Sequence, residues 1–213
     1  MENKKSPIGT IVIFGFFLLV MAAAYILTKP VERPAELQGV LRPDFRQVQA
    51  FKLTDHKNTV FDEKRLQGKW SFVFFGYTSC PDVCPTTLHA LNSVHGLLLE
   101  ETGGISKDMQ VVFISVDPDR DDIEKLADYT TYFNKEFIGT TADKAEIDKL
   151  TKQFAAGYIF EEETAPGIYN VSHTSAIFLI DPAGRLIATF SQPHQPANIV
   201  LLYKKIRTYL SSI

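Results

Sequence analysis

The chain has 213 residues, of which 45% are hydrophobic and 22% are charged, with a formal net charge of −3. This composition is typical of a globular protein with one sizeable core, and it excludes a disordered or collagen-like chain. The slight negative charge offers no broad basic surface for nucleic acid. Two cysteines are too few for a disulfide-stapled scaffold or a four-cysteine zinc site.

The first element along the chain is an uncharged run from Ser6 to Thr28. Its length fits a transmembrane helix better than a cleaved signal peptide or a buried core helix, so residues 1–29 are predicted to be a short tail and a membrane anchor. The flanking lysines and arginines do not decide its orientation. A short tail before a long domain resembles an uncleaved signal, which favours export of that domain. The compact N terminus, with no transit peptide before the anchor, favours a bacterial inner membrane over its mitochondrial counterpart.

Residues 30–46 contain three prolines and a glycine among scattered charges, and they are predicted to form an extended tether. From residue 47 to residue 213 the chain alternates strand and helix patterns. Nearly continuous apolar runs predict strands that are buried on both faces. These runs are Trp70–Tyr77, Val111–Val116 and Ser175–Ile180, with further strands at Phe51–Leu53, Val60–Phe61 and Arg185–Phe190, and helices at Pro85–Leu99, Ile123–Phe133, Lys144–Phe154 and Asn198–Tyr209.

The order of these elements predicts an α/β fold with a mixed sheet flanked by helices. The early strand–helix–strand unit implies parallel strands, and the late strand pair implies an antiparallel hairpin. Two cysteines lie between the first buried strand and the helix that follows it. That placement is a thioredoxin-like arrangement, an analogy of fold that by itself assigns no activity.

Both cysteines lie within the six residues Cys80-Pro-Asp-Val-Cys84-Pro85. Because proline disfavours helical conformation at the residue before it, the thiols are predicted to lie on a tight loop that leads into the helix. The helix N-terminus favours thiolate, the form that attacks disulfides and binds soft metals. The pair therefore has two chemical uses, as a redox centre or as two ligands of one metal ion. A plain structural disulfide is less favoured, since so short a loop removes little entropy from the unfolded chain.

Two thiolates rarely complete a tight metal site, so the five histidines are candidates for a third ligand. His56 and His194 lie in polar, surface-type loops, and His89 and His95 follow Cys84 on the predicted helix. His173 comes directly before the apolar strand that begins at Ser175, where a titratable side chain can face the edge of the sheet. Spacing alone leaves open whether His173 is a ligand or an ordinary hydrogen-bonded histidine.

Three segments together, FFGYTSCPDVCP, VVFISVDPDRD and VSHTSAIFLIDPAG, closely resemble the SCO/SenC family of membrane-tethered copper proteins. The resemblance covers roughly Phe51 to Tyr209, and the combination is far more specific than any segment alone. It implies a thioredoxin-like domain that binds one copper ion through Cys80, Cys84 and His173. The stretch from Asp117 to Asp121 matches an acidic stretch of the family, whereas Ser172 stands where the family often has an acidic residue before the histidine.

The resemblance implies a copper metallochaperone that delivers its ion to the copper-centre subunit of a haem-copper oxidase during assembly. The location implied is the inner membrane, with the soluble domain in the periplasm. Other periplasmic copper carriers and thiol reductants are further candidate partners. Two thiolates and one imidazole form a soft ligand set that suits Cu(I) and can also hold Cu(II). The lack of an obvious fourth protein ligand argues against structural zinc, whose shell is normally closed.

The main alternative is a thiol–disulfide oxidoreductase in which Cys80 and Cys84 reduce the cysteines of the oxidase copper site. Whether the chain is an enzyme therefore depends on which use of the cysteine pair dominates. A peroxiredoxin-like peroxidase fits less well, because Tyr77 occupies the position three residues before Cys80 where that class usually has threonine. A copper or redox sensor is a further alternative that the sequence leaves open.

Overall fold

The computed structural model describes the backbone of residues 7–27, 32–102 and 108–213. Helix α1 spans Pro7–Leu27, and its large apolar side chains between Ile11 and Met21 are exposed. Among the residues described, no helix combines the length and the hydropathy needed to cross a membrane. The transmembrane helix predicted within residues 6–28 is therefore not found.

The domain is built on an eight-stranded mixed sheet and a separate two-stranded sheet. The strands are β1 (Leu41–Gln47), β2 (Lys52–Asp55), β3 (Val60–Asp62), β4 (Trp70–Gly76), β5 (Met109–Ser115), β6 (Ile138–Thr141), β7 (Tyr158–Phe160), β8 (Val171–His173), β9 (Ile177–Ile180) and β10 (Arg185–Phe190). The large sheet has the order β1-β10-β9-β4-β5-β6-β2-β3, and among the strands that the structure describes β7 pairs only with β8. The predicted thioredoxin-like mixed sheet is confirmed.

The centre of the large sheet forms as the apolar runs predict. Every residue of β4 is buried, and β4 pairs with β5 in parallel from Trp70 opposite Met109 to Gly76 opposite Ser115. β9 lies antiparallel to β4 on its other side and forms the predicted hairpin with β10. These strands need apolar residues on both faces because helices cover the sheet.

In the described part of the chain, four helices flank this sheet: α2 (Val83–Thr102), α3 (Ile123–Phe133), α4 (Lys144–Phe154) and α5 (Pro196–Leu210). The bounds predicted for α3 and α4 are confirmed. Each begins at an aspartate whose side chain accepts a backbone N–H three residues on, Asp122 from Lys125 and Asp143 from Glu146. Such caps satisfy donors that the first helical turn cannot pair internally.

Four strands were not predicted. All but the last residue of β1 falls in the predicted tether, and the strand pairs antiparallel with β10, so the folded domain begins before residue 47. Pro43 and three charged side chains conceal its strand character, and they suit its position at the edge of the sheet. β6, β7 and β8 have only three or four residues each, too few for a clear alternation of apolar and polar positions.

Candidate metal centre

The cysteine segment connects the end of β4 to the beginning of α2. Cys80 lies before the helix, where its N–H donates to the carbonyl oxygen of Tyr77 at 3.2 Å. Cys84 is fully buried in the first turn of α2, which begins at Val83. The prediction that both thiols lie on a loop is therefore wrong for Cys84. Pro85 is accommodated because residues of the first helical turn need no intrahelical N–H partner.

His173 reaches the cysteines on the β7–β8 hairpin. It is the last residue of β8 and pairs with Tyr158 across the hairpin. Its imidazole packs edge-on against two rings of the main domain, at 5.8 Å from Phe74 and 5.9 Å from Tyr77 between ring centroids. Since Phe74 belongs to β4 and Tyr77 directly follows that strand, the ring is held over the end of the strand that leads to the cysteines.

The structure brings the three candidate ligands together. The Nε2 atom of His173 lies 3.3 Å from the Sγ atom of Cys84, and the backbone N–H of Cys84 donates to the Sγ atom of Cys80 at 3.4 Å. One donor atom from each of the three residues lies within 4.8 Å of the others. The Nδ1 atom of His173 lies 3.2 Å from the carbonyl oxygen of Thr174. A carbonyl can only accept, so Nδ1 donates this hydrogen bond, and Nε2 is the ring nitrogen that faces the cysteines and can bind a metal.

The two thiols have different acidities. A hydrogen bond from the Cys84 thiol lowers the pKa of Cys80 to about 3, with burial acting in the opposite direction and His173 lowering the pKa further. The same hydrogen bond, together with burial and the negative charge on Cys80, raises the pKa of Cys84 well above its usual range. Cys80 is therefore the thiolate. Cys84 keeps its proton until its sulfur binds a metal ion or forms a disulfide.

The site opens to the surface through a cleft of about 340 Å³. Cys80, Pro81, Glu161 and His173 are among the residues that line it. Soft sulfur and imidazole donors that converge at an open cleft suit copper bound with a free coordination position. The cleft thus leaves Cys80 and His173 accessible from solvent without unfolding of the domain.

A buried carboxylate supports the loop that precedes Cys80. Asp121 accepts hydrogen bonds from the backbone N–H of Thr78 at 2.8 Å and from the hydroxyl of Ser115 at 2.6 Å. Asp121 is the last residue of the acidic stretch that the sequence matched to the family. The next residue, Asp122, caps α3, whereas Asp121 turns inward to fix the cysteine segment.

The other histidines lie outside the donor group. The Nδ1 atom of His56 accepts the N–H of Gly139 at 3.0 Å, and the ring of His89 packs on Phe133 with centroids 4.9 Å apart. His95 lies 2.9 Å from a carboxylate oxygen of Glu136, and His194 lies 3.3 Å from the hydroxyl of Thr87.

Comparison with known proteins identifies the family. The sequence pattern described as SCO1/SenC matches residues 41–211. The chain belongs to the SCO1/SenC family. A putative copper-binding protein of Stutzerimonas stutzeri is 35% identical over 173 residues, which are 79% of this chain and 83% of that protein.

Two solved SCO structures share the fold. The crystal structure of Arabidopsis thaliana ScoI with copper bound has a TM-score of 0.70 at 30% identity and covers 77% of this chain and 100% of that one. A SCO1/SenC family lipoprotein from Bacillus anthracis has a TM-score of 0.63 at 25% identity, with 75% of this chain and 94% of that one covered.

Ser172 stands where the SCO/SenC pattern often has an acidic residue. The cleft nevertheless contains a carboxylate. The hydroxyl of Ser172 donates to the Oε1 atom of Glu161 at 2.6 Å, across the β7–β8 hairpin. Glu161 lines the cleft beside Cys80 and His173. In this SCO domain the acidic side chain therefore comes from the opposite strand end of the hairpin, a relation that linear spacing could not indicate.

Gly76 is required by the close approach of Cys84. A Cβ atom at position 76 would lie 2.7 Å from the Sγ atom of Cys84 and 2.8 Å from the Phe113 ring. We expect Gly76→Ala to displace the sulfur and to lower the free energy of unfolding by about 1–3 kcal/mol, measured by urea denaturation. Gly96→Ala is the control: a Cβ atom there meets nothing within 4 Å, and the change should stabilise the helix by about 0.5–1 kcal/mol. Equal stability of Gly76→Ala and wild type would contradict this account.

Proposed function

We propose that this chain is a copper carrier. It binds one copper ion through Cys80, Cys84 and His173 and passes the ion to the copper-centre subunit of a haem-copper oxidase. The observation that carries the proposal is the meeting of the three donor atoms within 4.8 Å, although His173 lies 89 residues after Cys84. The copper-bound state of the Arabidopsis relative supports the choice of metal.

The protein groups are arranged to hold copper and also to release it. Cys80 is already a thiolate and gives the first bond, and entry of the cation displaces the proton of Cys84, whose high pKa otherwise keeps it neutral. The lone pair of His173 Nε2 gives the third bond. The open side of the cleft leaves room for a partner's sulfur or nitrogen ligand to bind before these bonds break, so the ion passes by ligand exchange.

The proposed location is the periplasmic face of a bacterial inner membrane, with attachment through the N-terminal segment. The uncharged run within residues 6–28 and the exposed apolar side chains of α1 support attachment. The Bacillus anthracis relative is described as a lipoprotein. A periplasm-specific enzyme fused after Ile213 tests this location: an inactive fusion would contradict it.

The family supports the choice of an oxidase subunit as the partner. The Sco family is described as a family of cytochrome c oxidase assembly proteins, and copper centres are the part of an oxidase that a copper carrier can serve. The exported domain would meet that subunit on the same side of the membrane.

The unequal acidities of the cysteines favour one second candidate, a thiol reductant. The Cys80 thiolate would attack a disulfide of the partner and form a mixed disulfide, releasing one partner sulfur as a thiol that takes the proton of Cys84. The Cys84 sulfur would then attack Cys80 and release the second partner thiolate. The two electrons come from the cysteine pair, which ends as a disulfide and needs a periplasmic thiol reductant to restore it.

A transfer experiment distinguishes the two functions. The copper-loaded full-length chain is mixed with the purified, reduced, copper-free copper-centre domain of an oxidase, and the metal content of each protein is measured after separation. We expect copper in the oxidase domain from the wild type and little from His173→Ala, because that variant retains little copper to pass on. No transfer from the wild type, together with reduction of the oxidised oxidase domain by the copper-free chain, would replace the carrier with the reductant.

A further inference from the structure

The hairpin that carries His173 is attached to the domain by a group of three residues around a buried carboxylate. These residues, Asp117, Arg120 and Tyr169, are called the clamp below. Asp117, which follows β5, is fully buried, and each of its carboxylate oxygens has a separate partner. The Oδ2 atom accepts from the Nε of Arg120 at 2.5 Å, and the Oδ1 atom accepts from the hydroxyl of Tyr169 at 2.9 Å. Tyr169 lies on the β7–β8 hairpin, so this carboxylate joins two loops that are distant in the sequence.

Arg120 strengthens the same connection in two further ways. Its Nη1 donates to the backbone carbonyl of Tyr169 at 2.8 Å, and its guanidinium lies 3.5 Å from the centroid of the Tyr169 ring. Planar stacking and directional donation are properties of arginine that lysine does not share. Burial, followed by the hydrogen bond to Asp117, raises the pKa of Tyr169 to about 12, so the phenol keeps its proton and remains a donor.

The clamp continues to the imidazole through Tyr77. The Arg120 guanidinium lies 5.5 Å from the centroid of the Tyr77 ring, whose edge-on contact holds His173. β7 and β8 share three residue pairs, and neither strand pairs with a described strand of the large sheet. The hairpin is also attached at β7, where the hydroxyl of Tyr158 donates to Asp148 of α4 at 2.6 Å, and through buried Val171. The group formed by Asp117, Arg120 and Tyr169 adds the attachment that also reaches the ring of Tyr77, against which His173 packs.

We propose that Arg120 is a positioning residue for the metal centre: with Asp117 it docks the β7–β8 hairpin so that His173 meets Cys84. This inference rests on the proposed copper function, but its structural part applies equally to the copper-free protein. Groups that orient a ligand without touching the metal affect affinity because they set how much order the ligand must gain on binding.

The test uses Arg120→Lys and Tyr169→Phe in the full-length chain. Arg120→Lys keeps the positive charge but loses the planar guanidinium that donates two hydrogen bonds and stacks on Tyr169. Tyr169→Phe removes only the hydroxyl group that donates to Asp117. Arg185→Lys is the matched control. Asp181 and Arg185 form a similar pair, with Nε to Oδ2 at 2.7 Å, but at the opposite end of β9 from the cysteines, where Ile180 pairs with Ser71.

Two measurements are made on each variant. The first is Cu(I) affinity by competition with a chelator, which should fall by roughly 10- to 100-fold in both clamp variants and stay unchanged in the control. The second is amide hydrogen exchange in the copper-free chain at Glu161 and Thr174, whose N–H groups donate to Asn170 and Gly157. The amides of Glu161 and Thr174 should exchange faster in the clamp variants, by about the same 10- to 100-fold factor as the loss of Cu(I) affinity.

The outcomes separate this inference from the copper function. Wild-type exchange rates and affinity in both clamp variants would overturn the positioning role. A wild-type chain that binds no copper would overturn the proposed function, while the exchange measurement would still decide whether the clamp holds the hairpin. Equal acceleration in Arg185→Lys would show general loosening of the domain and would likewise overturn the inference.

Discussion

Replacing His173 with alanine is expected to lower the Cu(I) affinity of the chain by at least about 100-fold. The imidazole supplies one of three donors, and loss of a direct ligand exceeds the 10- to 100-fold effect of losing an outer partner. The remaining pair, Cys80 and Cys84, can still hold a soft ion weakly. Competition with a chelator of known affinity, with the cysteines kept reduced, measures the change.

His89→Ala is the matched control for that measurement. His89 lies on α2 near the cysteines, but its ring packs on Phe133 and is not part of the donor group. We expect its affinity to equal that of the wild type. Equal affinity of His173→Ala and His89→Ala would remove His173 from the site and leave the cysteine pair as the whole of the metal-binding chemistry.

The second large effect concerns the reactivity of Cys80 as a function of pH. Because its pKa is about 3, Cys80 is a thiolate throughout the range from pH 5 to pH 8, and its rate of alkylation should hardly change there. An ordinary thiol, with a pKa of about 8.5, would react about 1,000-fold faster at pH 8 than at pH 5. Rates with iodoacetamide, followed by mass spectrometry of the labelled peptide, measure this.

Variants at Cys84 identify the cause of that acidity. The hydrogen bond from Cys84 is the largest cause of the low pKa of Cys80, so Cys84→Ala should raise that pKa and restore a steep pH dependence. Cys84→Ser keeps a hydroxyl donor at the same place and should retain most of the flat profile. A wild-type rate that rises tenfold per pH unit would contradict the assignment of the thiolate to Cys80.

The central sheet and the cysteine motif could be predicted from the sequence because their signals are local. The apolar run of β4 specifies a strand buried on both faces, and Asp122 and Asp143 directly precede the periodic patterns of α3 and α4. The proximity of His173 to Cys84 was implied by the family resemblance, and no local pattern indicated it.

Features formed between distant segments could not be predicted. The hydrogen bond from Arg120 to the carbonyl oxygen of Tyr169 joins residues that are 49 positions apart. Strand β8 has only three residues. Neither feature leaves a periodic signal in the sequence. The rule that proline disfavours a helix at the preceding residue failed at Cys84, because the first turn of α2 tolerates Pro85. Edge strand β1 resembled a tether because charged residues and proline are suited to sheet edges.

The amount of copper that the reduced full-length chain retains tests the account most directly. The chain is incubated with excess Cu(I), freed of unbound metal, and analysed for copper per polypeptide, together with Cys80→Ser, Cys84→Ser and His173→Ala. We expect one copper ion per wild-type chain and clear loss of copper in all three variants. Negligible copper in the reduced wild type would contradict it, and the cysteine pair would then be left with thiol–disulfide exchange as its chemistry.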